Sequence, residues 1–283
     1  MIYRWLVWLS LLLLQGCSAI KLGYQQLPTL SYWWLDSAVS FSDAQSTHAR
    51  QALESLHHWH RREELPAYAD LLQRSAQWSQ GQLQGHQVCA VWSEAQAAMD
   101  RSMREAIRHA APVAMQLGPK QLSHLAHHFE RKNEEWEKEW LQGSLEERQQ
   151  TRLNKTVERY ASFYGELNAA QVAMLKSQQS QSAWSAEWGR QDRQRRQQDL
   201  LATLKRISQG AFGSAQAEQE LHALWQRWLK PPDAHGQMVM ATLVKQTCEN
   251  LARLHNTTTP EQRQRAVRRL RSYERDLKDL IQP

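Results

Sequence analysis

The sequence predicts an all-α protein of about eight to ten helices, arranged as antiparallel helical hairpins. Apolar residues recur at spacings of three and four along the whole chain, as in Val88, Trp92, Ala95 and Met99. The strict alternation that is typical of β-strands is essentially absent. Glycine and proline fall between these apolar runs, where helices are expected to end.

The first element in chain order is an N-terminal export signal. Arg4 precedes an apolar run from Trp5 to Leu14. A helix of that length rises only about 15 Å, half of the roughly 30 Å hydrocarbon core of a membrane. Such a run is typical of a secretory signal and not of a membrane span. It ends in the residues Leu-Gln-Gly-Cys, and the cysteine is Cys17.

These four residues resemble the lipobox of bacterial lipoproteins. The resemblance implies that Cys17 is lipidated with acyl chains such as palmitate and that residues 1–16 are removed. Because Ser18 is not an aspartate, it also implies an outer-membrane anchor facing the periplasm. The alternative is an ordinary signal peptide with an incidental cysteine. We expect a signal peptide at 1–16, a lipid anchor and membrane-proximal segment at 17–40, and a single helical domain at 41–283.

The net charge and the sequence motifs limit the classes of partner and reaction that can be expected. The chain has 35 Lys and Arg against 29 Asp and Glu, a formal net charge of +6. An exported protein does not meet nucleic acid, so we expect outer-membrane lipid and an envelope protein, anionic glycan or anionic lipid as partners. No Gly-x-Ser-x-Gly elbow, phosphate-binding glycine loop or Cys-x-x-Cys motif occurs. The sequence predicts non-catalytic binding or envelope maintenance without a cofactor; an enzyme assembled from distant residues stays an alternative.

A pentapeptide frame ending in glutamine recurs at predicted helix starts. It reads FSDAQ at 41–45, LGPKQ at 117–121, LNAAQ at 167–171 and TTPEQ at 258–262. The second residue is the N-cap, and the glutamine three positions on reaches back to the cap's amide, as in a capping box. Leu117 and Leu167 supply hydrophobic staples. We expect helices to start at the following caps, with these glutamines in their first turns: Ser42 and Gln45, Gly118 and Gln121, Asn168 and Gln171, Thr259 and Gln262.

Two resemblances follow from these residues. The Leu-x-x-x-Gln spacing is similar to the Leu-Thr-x-x-Gln motif of the periplasmic stress proteins Spy and CpxP, which implies a chaperone-like role as an alternative. Longer stretches resemble an uncharacterised family of proteobacterial lipoproteins that carries a domain-of-unknown-function label. That likeness implies a location and a helical fold, and no known activity. The stretches are YWWLD at 32–36, WHR at 59–61, ELP at 64–66 with Tyr68, and HFERKNEEWEKEWL at 128–141.

Cys89 and Cys248 remain once Cys17 is lipidated. In an oxidising periplasm an even pair favours a disulfide. Each residue also lies beside an apolar helix stripe, so two separate buried thiols are the alternative. A bridge would join an early helix to a late one and would favour a single domain.

Tryptophans form pairs at helical spacing. Trp136 with Trp140, and Trp184 with Trp188, each share one helix face. Core packing is the favoured use of such large rings. The alternative is a binding surface for a peptide, lipid or glycan. Trp33 and Trp34 follow the lipid anchor closely, a position that suits a membrane interface.

Histidines cluster at His124, His127 and His128. His124 and His128 have the i, i+4 spacing that chelates a metal on a helix. Leu125 stands where a metalloprotease motif has glutamate, and no third ligand is evident. We therefore expect partly exposed histidines and no metal site.

Two charged segments complete the chain. GRQDRQRRQQD at 189–199 has no apolar stripe, which predicts a solvated helical extension. In EQRQRAVRRLRSYERDL at 261–277, Val267, Leu270 and Tyr273 share one side. This pattern predicts an amphipathic helix docked by its stripe, with a basic face that suits anionic lipid or glycan.

Overall fold

The computed structural model describes residues 19–210 and 212–282, and all regular secondary structure in them is α-helical. The predicted signal peptide at 1–16 and Cys17 lie outside the described residues. Twelve helices follow one another in the described part of the chain. Their bounds are α1 Ala19–Gln25, α2 Leu27–Val39, α3 Asp43–Glu63, α4 Leu65–Trp78, α5 Gly85–Ala114, α6 Pro119–Trp140, α7 Leu145–Tyr164, α8 Ala169–Ser180, α9 Ala186–Gln209, α10 Ser214–Leu229, α11 Ala234–Asn256 and α12 Pro260–Ile281.

The all-α prediction is confirmed, whereas the predicted count of about eight to ten helices is wrong because it is too low. Two boundaries account for the difference. Single residues, Gln26 and Glu64, separate α1 from α2 and α3 from α4. Pro28 and Pro66 lie in the first turn of the following helix. Because proline lacks the N–H that would continue the ladder, each apolar run breaks into two helices there. Within the described residues, no helix combines the length and apolar character of a membrane span.

The four predicted helix starts are confirmed at Ser42, Gly118, Asn168 and Thr259. The cap side chains accept first-turn amides; Asn168 Oδ1, for example, accepts the N–H of Gln171 at 2.9 Å. Gly118 has no side chain to offer, so only the glutamine half of the capping box exists there. The staple residues Leu117 and Leu167 are buried.

The buried apolar side chains form two clusters. The first brings together α2, α5, α6, α9 and α10 through residues such as Val39, Ile107, Leu125, Leu204 and Leu224. The second joins α7, α8, α11 and α12; it contains Leu153, Tyr164, Leu167, Leu175, Leu254 and Ala266. Burying one such leucine stabilises the fold by about 1.5–3 kcal/mol.

Helix α5 packs against α10 and α11 and so extends between the two clusters. It has 30 residues and is therefore about 45 Å long. Near its start, Cys89 forms a disulfide with Cys248 of α11, with Cα atoms 5.3 Å apart. The bridge that the sequence favoured is thus present and joins an early helix to a late one.

The polar stretch 189–199 lies within α9 and is mostly half-buried, so the prediction of a solvated extension is wrong. Arg193 Nε donates to Asn133 Oδ1 of α6 at 2.7 Å. Asp199 accepts two hydrogen bonds from Arg227 of α10, at 2.8 and 2.9 Å. These charged and amide side chains attach α9 to its neighbours through hydrogen bonds, a mode of docking that leaves no apolar stripe in the sequence.

Candidate functional site

The four motif glutamines meet in two reciprocal pairs. Gln121 Nε2 donates to Gln45 Oε1 at 2.7 Å, and Gln45 Nε2 donates to Gln121 Oε1 at 3.2 Å. Gln171 and Gln262 exchange the same two hydrogen bonds at 2.8 and 3.0 Å. We call each pair a glutamine clasp.

Each clasp glutamine also forms hydrogen bonds with two backbone groups, one at the start of its own helix and one just before the partner helix. Its Oε1 accepts the N–H of its own N-cap residue. Its Nε2 donates a second hydrogen bond to the carbonyl two residues before the partner helix's cap. Both amide protons are therefore used in all four residues. The accepting carbonyls belong to Ser40, Gln116, Glu166 and Thr257.

The clasps fix the relative positions of helix starts that are far apart in the chain. The first joins the starts of α3 and α6 beside the first cluster; the second joins the starts of α8 and α12 beside the second. Gln171 is 1% exposed, so every unpaired polar atom there would be costly. The capping half of this arrangement was predicted from sequence, whereas the pairing was not.

An apolar cavity of about 450 Å³ lies among α2, α3, α5, α6, α9 and α10, beside the first clasp. Leu125 and Leu221 line it at buried positions, and Trp34, which is 64% exposed, lines it at the surface. The polar residues in the lining are His109, Arg196 and Gln197; the remainder are alanine, valine, leucine, phenylalanine and tryptophan. Its volume lies within the range of about 300–1,000 Å³ that is usual for small-molecule sites.

A second apolar cavity, of about 230 Å³, adjoins the first. Both are lined by Leu53, Leu56 and Ala106. The second reaches Leu27 and Pro28 at the start of α2. Apolar space therefore extends under α2 along α3 and α5.

Two polar side chains in the lining of the larger cavity already lie beside carboxylates. Arg196 Nε lies 2.7 Å from Asp192 Oδ2, and His109 Nε2 lies 3.2 Å from Glu105 Oε1. The site can thus enclose an apolar chain, and two of its three polar side chains already contact carboxylates. It contains no arrangement of nucleophile and base for catalysis among the described residues.

Helix α1 is held against α3 by a tyrosine and two histidines. The Tyr24 hydroxyl lies 3.0 Å from His60 Nδ1. His57 Nε2–H donates to the Tyr24 carbonyl at 3.0 Å. Burial lowers the pKa of both histidines and raises the pKa of Tyr24 to about 12. The direction of each shift favours the neutral form of all three groups near pH 7.

Three of the four tryptophans that the sequence offered as a binding surface come together. The Trp136 and Trp140 rings stack with centroids 6.2 Å apart, and Trp184 meets the edge of Trp140 at 5.5 Å. Arg152 and Lys155 lie over the Trp184 and Trp140 rings. Each cation covers one ring face. Trp140, Trp184 and Arg152 also line a cavity of about 290 Å³ beside α7, α8 and the start of α9, so the cluster packs these elements together and still borders open space.

Trp188 is half-buried on α9 and takes part in none of these ring contacts. The helical pairing of Trp184 with Trp188 therefore did not identify the ring partner of Trp184. Trp184 precedes Ser185, the N-cap of α9, and lies outside a helix, so the predicted helix face shared with Trp188 is wrong; its ring partner is Trp140 of α6.

The clustered histidines each have separate contacts. His124 Nε2 lies 3.2 Å from the Ser37 carbonyl, and His127 Nδ1 lies 2.9 Å from Glu130 Oε2. His128 is buried, and burial lowers its pKa. Among the described residues, no group of three His, Cys, Asp or Glu side chains is placed to hold a metal ion.

The cavity was not predicted, although the sequence contains a signal for it. Alanines recur on one face of α3, at Ala49 and Ala52, and on one face of α5, at Ala106 and Ala110. Small side chains on two facing helices leave space that larger ones would fill. Sequence alone did not show that these two faces meet.

Comparison with known protein families matches residues 38–231 to a family of unknown function, DUF6279. The chain belongs to the DUF6279 family. The match covers more than half of the chain, and it confirms the resemblance to a family without a known activity. No curated protein and no solved structure matches the chain.

The residues matched to DUF6279 include most of the lining of the larger cavity. Apart from Trp34 and Leu35, every residue that lines the larger cavity lies within 38–231. The first glutamine clasp lies there too, whereas Gln262 and Cys248 lie beyond the match. The apolar cavity is therefore a feature of the part that defines DUF6279 membership.

Proposed function

We propose that this protein is an outer-membrane-anchored periplasmic lipoprotein that binds the apolar chain of an envelope lipid without catalysis. The observation that carries the proposal is the cavity of about 450 Å³, because its lining is almost wholly apolar. The lipobox-like residues that end at Cys17 support the location. The net charge is +6 for the whole sequence and +5 once Arg4 is removed with the signal, and it suits a lipid that has an anionic head group.

The cavity favours a chain-like ligand. It adjoins the smaller cavity through Leu53, Leu56 and Ala106, so an extended apolar chain can continue from one to the other. Removing such a chain from water stabilises the complex by about 0.8 kcal/mol per methylene.

Ligand binding is tested by titrating the purified protein with cis-parinaric acid, a fluorescent fatty acid, in the absence of vesicles. Ala106→Leu fills space shared by both cavities, and we expect it to weaken binding about tenfold or more. Ala90→Leu is the matched control, because Ala90 is an exposed residue of the same helix and lines neither cavity. Equal affinities in the two variants would contradict the proposal.

The location is tested with Cys17→Ala. We expect this change to abolish acylation and to leave an unprocessed or soluble form. Mass spectrometry of the membrane fraction reports the acyl chains directly. A processed Cys17→Ala protein that still fractionates with the outer membrane would show that Cys17 is not the anchor.

A chaperone-like role is the second candidate, and the glutamine clasps are the observation that favours it. Three of their four glutamines, Gln121, Gln171 and Gln262, belong to the helix starts that resemble the motif of Spy and CpxP. Suppression of the aggregation of an unfolded client protein tests it. If Ala106→Leu abolishes fatty-acid binding but leaves aggregation suppression intact, the chaperone role stands apart from the cavity.

A further inference from the structure

We propose that helices α1 and α2 seat the protein on a phospholipid surface through one apolar face. This apolar face consists of Leu22, Leu27, Leu30, Trp33 and Trp34. The inference rests on the proposed function only for the anchor at Cys17, since the face itself is a property of the described residues.

The apolar face is unusual in its exposure. Nine large apolar side chains are exposed in the described part of the chain, and five of them belong to this face. Their exposed fractions run from 46% to 64%. Single exposed apolar residues are ordinary on a protein surface, whereas a contiguous group indicates an interaction site.

The packing of α2 on the protein fixes the orientation of the apolar face. Leu27, Leu30 and Trp34 follow one another at spacings of three and four, and so lie on one side of α2. On the opposite side, Tyr32 is buried and its hydroxyl donates to Ser46 Oγ of α3 at 3.0 Å. Because the other side of α2 is docked on the protein, the apolar face is turned outwards, and its members Leu27 and Trp34 also border the two cavities.

The absence of charge favours a lipid surface as the occupant. No charged residue occurs between Lys21 and Asp36. Paired tryptophans suit the boundary between head groups and hydrocarbon. A helix that lies in that boundary buries its apolar face by about 5–10 Å.

The surroundings of the face point to the same occupant. Leu22 is five positions after Cys17, so a lipid anchored there would hold the face at the membrane. Trp34 belongs both to the face and to the lining of the larger cavity. A seated protein would therefore have an edge of its apolar cavity at the lipid, where an acyl chain is available.

Basic residues lie on the helix that contacts α1. Lys21 of α1 pairs with Asp279 in the last turns of α12 at 2.8 Å. Along the exposed side of α12 run Arg268, Arg271 and Arg275. Among the described residues, none of these three arginines has a carboxylate within 4.0 Å. Anionic head groups would attract such a row, at about 1 kcal/mol for each residue near the surface.

The test places a polarity-sensitive fluorophore on Leu30→Cys of the full protein. Met238→Cys is the control, because Met238 is similarly exposed but lies on α11. Cys89 and Cys248 are bonded to each other and do not react with the label. Each labelled protein is reconstituted into vesicles of phosphatidylethanolamine and phosphatidylglycerol that carry brominated acyl chains.

We expect the emission at position 30 to shift to the blue and to be quenched roughly three times as strongly as that at position 238. A blue shift without bromine quenching would mean that a second copy of the chain covers the face, and would overturn the proposal. Equal quenching at both positions would overturn it as well. The vesicle-free fatty-acid titration reports the cavity separately, so failure of one proposal is distinguishable from failure of the other.

Discussion

At the scale of single residues, the clasps require glutamine and would reject glutamate. Each Nε2 donates two hydrogen bonds, one to the partner amide and one to a backbone carbonyl. A carboxylate could accept the cap N–H equally well but could donate nothing. Ser144 with Glu147 shows the difference, because that capping box is complete with glutamate and has no partner glutamine. The recurring glutamine therefore carries more information than capping alone.

We expect Gln171→Glu to lower the free energy of unfolding by about 2–4 kcal/mol, since it removes the donor to the Thr257 carbonyl and places a carboxylate oxygen against Gln262 Oε1, which keeps only the Thr259 N–H. Gln87→Glu is the matched control. Gln87 Oε1 accepts the Gln84 N–H at 2.8 Å, and its amide nitrogen makes no hydrogen bond in the described structure. Urea denaturation measures both, and we expect the control to be neutral or slightly stabilising because a negative charge suits a helix N-terminus.

An equal effect of the two substitutions would show that the clasp contributes no more than a helix cap. The spacing of the motif in the sequence predicts a helix cap and nothing more. That outcome would therefore restore the simpler interpretation.

At the scale of elements, the Cys89–Cys248 disulfide fixes α5 to α11 across a sequence separation of 159 residues. In the chain-entropy description, a bridge closing so long a loop stabilises the fold by about 4–5 kcal/mol. We expect reduction to lower the melting temperature by several degrees. Circular dichroism with and without reductant measures the change.

The double variant Cys89→Ser, Cys248→Ser is the control, because reductant should not alter its melting temperature. Thiol labelling after denaturation, without reductant, should find neither cysteine free in the wild-type protein. Two labelled thiols in protein taken from the periplasmic side would contradict the bridge.

Some helix boundaries and contacts can be predicted from local sequence patterns, and others cannot. The starts of α3, α6, α8 and α12 could be placed because caps, staples and glutamines act within a few residues of one another. The docking of α9 is not visible in its own residues because its partners, Asn133 and Arg227, belong to two other helices. A stretch without an apolar stripe is solvated only if no polar partner meets it.

At the scale of the whole molecule, pH acts on buried histidines. Burial lowers the pKa of four histidines in the folded protein: His57, His60, His128 and His255. The unfolded chain then binds more protons than the folded one once the pH falls below about 6.5, the ordinary histidine pKa. Stability is therefore fully present above that value and declines as the pH drops towards the folded-state pKa values.

We expect the melting temperature to fall as the pH drops from about 6.5 to about 5. His255→Gln should flatten this dependence, because His255 is fully buried between the Tyr164 hydroxyl and the Gly81 carbonyl. Thermal unfolding at a series of pH values measures both slopes. An unchanged slope in the variant would mean that other groups determine the pH dependence.

The sequence by itself determined the helical class, four helix starts and the cysteine pair that the structure joins. These features follow from residue spacing, from the chemistry of helix caps and from the number of cysteines. None of the three depends on how the helices are arranged in space. Its prediction of a lipoprotein anchor at Cys17 depends on a local motif and stays a prediction.

Only the tertiary structure decided which surfaces meet. It paired Gln45 with Gln121 and Gln171 with Gln262, and it placed Trp140 against Trp184. It also brought the alanine faces of α3 and α5 together around an apolar cavity. The physical reason is that clasps and cavities depend on the separation and orientation of helices that are distant in sequence, whereas hydrophobic periodicity records only that each helix has a face to bury.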